Sequence, residues 1–530
     1  MSLSLDAVLE ETTIHRRRER LDVIPDALIL GDTYGPTLGR IEAQGGHKSK
    51  LAMSALMWIC HSETPLGAEE LCQALAVEIG SIDCNANNAP SIRTVLSCCQ
   101  GLVVLDKERS VVRHIHHTLQ EYLTRHRNLF DNPHSTIAET CLTYLNSQQV
   151  MALSGSSVQS TQHPPFLAYS SVYWGAHMRK ELTDRGKALA LKLLSRYECH
   201  ISIGLLLEHM LGRHRFSSLG HFHLFTGLHC ASIFGLVEVF TSFSIVVDDI
   251  SINCMDGTGA TPFLWAAMRG HEGLVKLLLG QEHMDPTWAD CSGRTPMSWA
   301  AGNGHEAVVK LLLAQNGLSP DKPDFMDRIS LMTQNITKRH PKLFPRQEAI
   351  DPDTPDLGGR TPMSWAAGNG QEAVVKILLG RKDVNPDMPD IRDRAPISWA
   401  AKNGYEVVVE LLLERGDVNP DRLAVGGKTP ISLAAKNGHE AVVKLLLARE
   451  DVNPGRPDDE DRTPISLAAE RGHEAVVKLL LERGDVNPDW PDKWGQTPIM
   501  LAVQNDHEAV VLELFLRRQD GEPDWPDVWA

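Results

Sequence analysis

Downstream of residue 228 the apolar residues fall in two short bursts, and the pattern repeats every 34 residues. In Thr429–Pro454, TPISLAAKNGHEAVVKLLLAREDVNP, the first burst is Ile431, Leu433, Ala434 and Ala435. The second is Val442, Val443, Leu445, Leu446 and Leu447. Helical spacing within each burst, separated by Asn437-Gly438, predicts two short antiparallel helices. Thr429 is placed to cap the first helix, Pro430 sits at its first position, and Gly438 suits the left-handed residue that ends it. The equivalent prolines are Pro262, Pro296, Pro362, Pro396, Pro430, Pro464 and Pro498, and Phe225–Phe240 is a diverged copy one period upstream. A pair of such helices cannot cover its own apolar face, so neighbours must stack into a solenoid.

Upstream the pattern is mixed and not repeated. An apolar helix over 50–62 and an amphipathic helix over Pro65–Glu78 are followed by a helix that runs into a strand at Leu102–Leu105. Lys107–Arg109 turn the chain and Val111–Ile115 returns, before a helix over Thr118–Arg125. Three helices and a two-stranded wing describe a winged helix over 51–126. Residues 1–50 read as an N-terminal tail and linker-like segment, and 127–221 as a helical connector. The fold class is mainly α: a helical and winged-helix N-terminal region, then an α-solenoid of about nine repeats over 222–530.

Two irregularities interrupt the period. Pro296 and Pro362 are 66 residues apart, two short of two periods. Residues 327–353 align with the repeat if its Thr-Pro is deleted, and Pro341 and Pro345 should break its second helix. A kink or local disorder is expected there, dividing the solenoid into arms of about three and five repeats. At the end, residues 520–530 repeat the loop but not the helices, which reads as an incomplete terminal repeat.

Composition narrows the function. No apolar run approaches the roughly 20 residues of a membrane helix, so the expected location is the cytoplasm. Ten cysteines, none in a C-x-x-C pair, suit reduced thiols. Residues 1–220 carry 21 basic and 22 acidic side chains, whereas 221–530 carry 31 and 46. The acidic second half argues against nucleic acid as a partner and favours a protein with a basic surface.

Candidate chemistry is sparse. Gly45–Lys50, GGHKSK, has His47 where a phosphate-binding loop needs a different spacing, and no strand precedes it. His114, His116 and His117 could supply metal ligands, but no further Cys or acid is placed to complete a site, and a packing seam is the preferred reading. His271, His305, His439, His473 and His507 recur one per repeat, too far apart to share zinc, and read as hydrogen-bonding residues between repeats. Trp265, Trp299, Trp365 and Trp399 read as a buried ladder. No catalytic residue, cofactor or metal is assigned, and the chain is expected not to be an enzyme.

The Thr-Pro-Ile-Ser-Leu-Ala element resembles the ankyrin-repeat signature, with Ser where the family has His and a period one residue longer. Leu30–Ile41, Leu102–Leu123, Ala138–Leu145 and Pro165–Leu182 together resemble the region between the NTPase and the ankyrin repeats of fungal NACHT-type STAND proteins. That resemblance implies a signalling switch whose nucleotide-binding module is absent here. A Walker A loop and an acidic Walker B strand are both missing from the sequence. The expected function is a non-enzymatic protein–protein interaction module with a STAND-type regulatory region. The alternative is a fragment of such a signalling NTPase, an innate-immune or incompatibility-type sensor. Because stacking constrains the framework, partner specificity is expected at the hairpin tips. Those residues are Trp288, Asp290, Arg294, Arg360, Arg392, Arg394, Lys428, Asp459, Arg462, Trp490, Lys493 and Trp494.

Overall fold

The computed structural model describes residues 30–83, 88–153, 163–212, 224–244, 252–281, 284–315 and 350–519. The chain divides into two units, 1–227 and 228–530.

In the first unit, α1 (Leu30–Ala43) and α2 (Gly46–His61) precede α3 (Ala68–Ala76) and α4 (Ile92–Cys98). Strands β1 (Val103–Asp106) and β2 (Val111–His114) pair antiparallel, with Val103 opposite His114. A bridge from Gly67 to Val111 adds a third, minimal edge. Helix α5 (His117–Arg125) follows the wing. The core of this winged helix is Leu56, Leu71, Val95, Leu102, Val112 and Leu119, all essentially inaccessible. Burying each such side chain contributes about 2 kcal/mol. Gly45 caps α2 and Gly46–Lys50 form its first turn, directly after α1, so a helix and not the strand of a phosphate loop precedes the segment. Next come α6 (Pro133–Leu145), α7 (Pro165–Lys180), α8 (Asp184–Leu194) and α9 (Ser202–Leu211). The tail over 1–29 lies outside the described residues.

The second unit contains eight helix pairs among the described residues, beginning with Gly227–Phe234 and Val237–Ser244 and ending with Pro498–Gln504 and Glu508–Gln519. Five first helices start as the sequence predicts, with a threonine cap and a proline at the first position: Thr429 accepts a hydrogen bond from the Ser432 N–H at 3.2 Å, with Pro430 next. Ile431, Ala434, Ala435, Val442, Val443 and Leu446 are fully buried between neighbouring pairs. Gly438 adopts φ +74°, and a Cβ there would lie 2.6 Å from the Nδ1 of His473 in the next repeat. Both the conformation and the contact therefore demand glycine.

The histidine expectation holds. His271, His305, His439, His473 and His507 each donate from Nε2 to a carbonyl of the preceding repeat, at 2.8 to 3.2 Å. The expected kink or local disorder of 327–353 falls almost wholly outside the described residues, but the expected division into two arms is not found. The pair at 296–313 stacks directly on the pair at 362–379: the Leu357 N–H donates to Ser292 O at 3.0 Å, and Asn369 Nδ2 donates to Gly302 O at 2.7 Å. These contacts leave no space for a pair between them, so the degenerate copy does not divide the stack into two arms. Most of that copy, and the terminal segment 520–530, lie outside the described residues.

Candidate protein-interaction surface

Each repeat presents a hairpin, and each hairpin is tied to the next. The N–H groups of Cys291, Leu357, Ile391, Val425, Asp459 and Lys493 donate to carbonyls of the preceding hairpin at 2.9 to 3.1 Å. Within a hairpin the turn is held by one aspartate. Asp356 Oδ1 accepts from the N–H groups of Gly358 and Arg360 at 2.8 and 2.9 Å, and its Oδ2 accepts from Trp365 Nε1 at 3.0 Å. Asp256, Asp290 and Asp390 bond the same way to Trp265, Trp299 and Trp399. An aspartate thus fixes both the hairpin and the indole nine residues later. Ala424 takes the aspartate's place in one repeat, where Gly426 and Gly427, both with positive φ, make the turn instead.

The tryptophans stack with arginines. The Arg294 guanidinium lies 3.5 Å from the Trp299 ring centroid and 3.6 Å from that of Trp365. Arg360 lies 4.6 Å from Trp365 and 3.6 Å from Trp399, and Arg394 lies 3.9 Å from Trp399. Trp265 and Trp399 are buried as the ladder reading requires, while Trp299 and Trp365 are half-buried and covered by these guanidinium groups.

The structure sorts the expected tip residues into three groups. Arg392, Asp459, Trp490, Lys493 and Trp494 are exposed, Trp494 by 67%. Trp288, Arg360, Arg394, Lys428 and Arg462 are half-buried. Asp290 and Arg294 are buried: the carboxyl holds its hairpin, and Arg294 Nη2 donates to Ser298 O at 3.2 Å. These two are framework residues and not surface ones, because the hairpin needs the carboxylate inside. Burial also pushes the Asp290 carboxyl above the ordinary range, against the Trp299 hydrogen bond that lowers it. Beside the exposed tips stand apolar residues: Leu357, Ile391, Leu423 and Val425, with Ile391 72% exposed. The last pair exposes Met500 and Val503, at positions that earlier pairs bury, together with Leu512 and Phe515.

In the first unit the three neighbouring histidines diverge. His114 is buried, and its pKa is pushed down to about 4 by burial. His116 Nδ1 accepts from the Thr118 N–H and caps α5, and His117 is exposed. A different set converges. His134 Nδ1 and His177 Nδ1 are 2.8 Å apart, His177 Nε2 is 2.8 Å from the Tyr169 hydroxyl, and that hydroxyl accepts from the Glu63 N–H. The His61 ring meets His134 edge-on at 5.3 Å. His177 is fully buried, and its pKa is pushed down to about 3 by burial and then by His134, Lys180 and His61. Neutral rings satisfy every bond: Tyr169 donates to His177 Nε2, and His177 Nδ1–H donates to His134 Nδ1. Among the described residues no three His, Cys, Asp or Glu side chains are arranged to hold a metal ion. Sequence reading missed this cluster because its members are dispersed along the chain.

No described helix is long and apolar enough to cross a membrane. The family described as Ankyrin repeats (3 copies) matches residues 228–324, 340–422, 363–458 and 431–523, more than half of the chain. The family described as GPI inositol-deacylase, winged helix domain, matches residues 40–133. No curated protein matches the chain.

Proposed function

Given that the chain belongs to the ankyrin-repeat family, we propose that its array is a protein-binding module whose specificity resides on the hairpins. One observation carries this reading: the helices repeat almost unchanged, while the residues at the hairpin tips vary and include exposed apolar side chains. Ile391, Val425 and Trp494 are at least 60% exposed, although the framework around them is tightly packed. Exposed apolar groups held on a rigid, hydrogen-bonded edge lose little entropy on binding. The module acts by binding and not by catalysis. The test is capture of interacting proteins by the full chain and by a variant with Ile391→Asp, Val425→Asp and Trp494→Asp. These positions make no core contact, so the fold should persist. Loss of the captured set is expected, and unchanged capture would sink the proposal.

The winged helix favours a second layer of this reading. A winged helix preceding an ankyrin array is the order expected of NACHT-type STAND proteins, which supports a regulatory role for residues 40–133. On that reading the native switch needs an NTPase module, and nucleotide binding by the 530-residue chain itself would contradict it.

A further inference from the structure

The array is acidic overall, yet one stripe along it is not. The residue before each cap is Arg294, Arg360, Arg394, Lys428 or Arg462 in five repeats, and Lys402 and Lys436 stand near the ends of two first helices. Two of these cations are neutralised: Arg394 pairs with Asp390 at 2.9 Å, and Arg462 pairs with Asp458 at 3.1 Å and with Glu460. Arg360, Lys402, Lys428 and Lys436 are half-buried, and none forms an ion pair within the described residues.

The missing counter-ions have local causes. Asp356 accepts from two backbone N–H groups and from Trp365 Nε1 but, unlike Asp390, makes no ion pair with the arginine four residues on. Lys428 belongs to the repeat in which Ala424 replaces the aspartate. Arg360 is held instead between the faces of Trp365 and Trp399, and Lys402 Nζ lies 5.3 Å from the Trp399 ring centroid. Half-buried cations that lack carboxylates repel one another and have lost part of their hydration. The pKa shifts agree. Desolvation and then Arg394 lower Arg360 and outweigh Asp356 and Asp390, which raise it, while desolvation followed by Lys428, Arg462 and Arg471 lowers Lys436 against Glu470.

We propose that this stripe binds an extended acidic segment of a protein partner, whose carboxylates pair with Arg360, Lys402, Lys428 and Lys436. The inference rests on the protein-binding reading of the array, and it reverses the basic partner that net charge alone favours. Neighbouring helices pack about 10 Å apart, and an extended chain advances about 3.3 Å per residue. Arg360, Lys402 and the two lysines of the next repeat, Lys428 and Lys436, stand in three successive repeats, so carboxylates at every third residue of a segment of about seven residues meet them. Nucleic acid fits less well. Binding a single strand relies on open aromatic faces for base stacking, and guanidinium groups already cover Trp365 and Trp399.

The test measures binding of the full chain to a fluorescein-labelled decapeptide with Glu at every third position. Comparison probes are the same peptide with Gln in those places and a single-stranded DNA decamer. The Glu peptide should bind tightest, and salt should weaken it. Arg360→Gln with Lys402→Gln, Lys428→Gln and Lys436→Gln should weaken it about tenfold or more. The single change Lys436→Gln touches no ring and keeps the fold. It should weaken binding about threefold, whereas Lys444→Gln on a second helix should leave it unchanged. Equal binding of the Glu and Gln peptides, unchanged affinity in both stripe variants, or preference for the oligonucleotide would each overturn the proposal. If the peptide fails while the hairpin-tip variant still loses its captured proteins, the acidic-segment inference alone falls. If capture is unaffected by the tip changes, the broader reading falls first.

Discussion

The two units of this chain bury polar groups in opposite ways. In residues 1–227 the buried network occurs once: His134, His177 and Tyr169 form a hydrogen-bonded chain of neutral groups. In residues 228–530 the hairpin aspartates and the indoles they hold recur at the repeat period, each bonded within its own hairpin and first helix. A network that occurs once can fail as a whole. A repeated one loses a single seam at a time, and its framework can stay constant while the surface changes chemistry.

Acid should separate the units most sharply. His114 and His177 have folded pKa values of about 4 and about 3, below the unfolded value near 6.5. Both are neutral in the fold, so the unfolded chain takes up protons first as pH falls. Their stabilising effect is complete above about pH 6.5 and is lost from there down toward the folded values. At pH 5 each costs about 2 kcal/mol. Hydrogen exchange at pH 7 and 5, corrected for intrinsic rates, should show residues 111–180 losing protection before the array does. Within the array burial lowers His229 and His305 as well, and they add losses in the same direction. Earlier loss from the array would break the comparison.

Substitutions should sharpen it. Asp356→Ala removes the acceptor for two hairpin N–H groups and the Trp365 indole, and should cost about 3 kcal/mol by thermal or urea unfolding. His439→Ala removes the Nε2 bond to Lys402 O at 2.9 Å, and should cost about 1.5 kcal/mol while lowering cooperativity between the flanking repeats. Thr429→Ala removes one cap and should cost about 1 kcal/mol, with no change in cooperativity.

What the sequence made legible follows the same division. The helix pairs, their caps and the histidine seams could be read because each feature is printed many times at one spacing. The winged helix could be read from its alternation and its turn. The His134–His177 pair could not, since the residues are 43 apart and no pattern links them. Asp290 and Arg294 looked like tip residues because position in a loop says nothing about which side chain turns inward. Their signal was present all the same: Asp, Arg four residues on and Trp nine residues on recur in three repeats. Net charge, averaged over the array, concealed a stripe of the opposite sign. The interval of 66 residues between Pro296 and Pro362 was compatible with a distorted repeat in the stack or with direct contact of its neighbours, and only the contacts decide.

Hydrogen exchange of the full chain with and without the Glu-containing decapeptide tests most directly whether the array is a binding surface of this charge. Protection should rise in the hairpins at 356–360 and 424–428 and at the ends of the first helices that carry Lys402 and Lys436. Unchanged exchange there, or protection confined to residues 30–212, would contradict it.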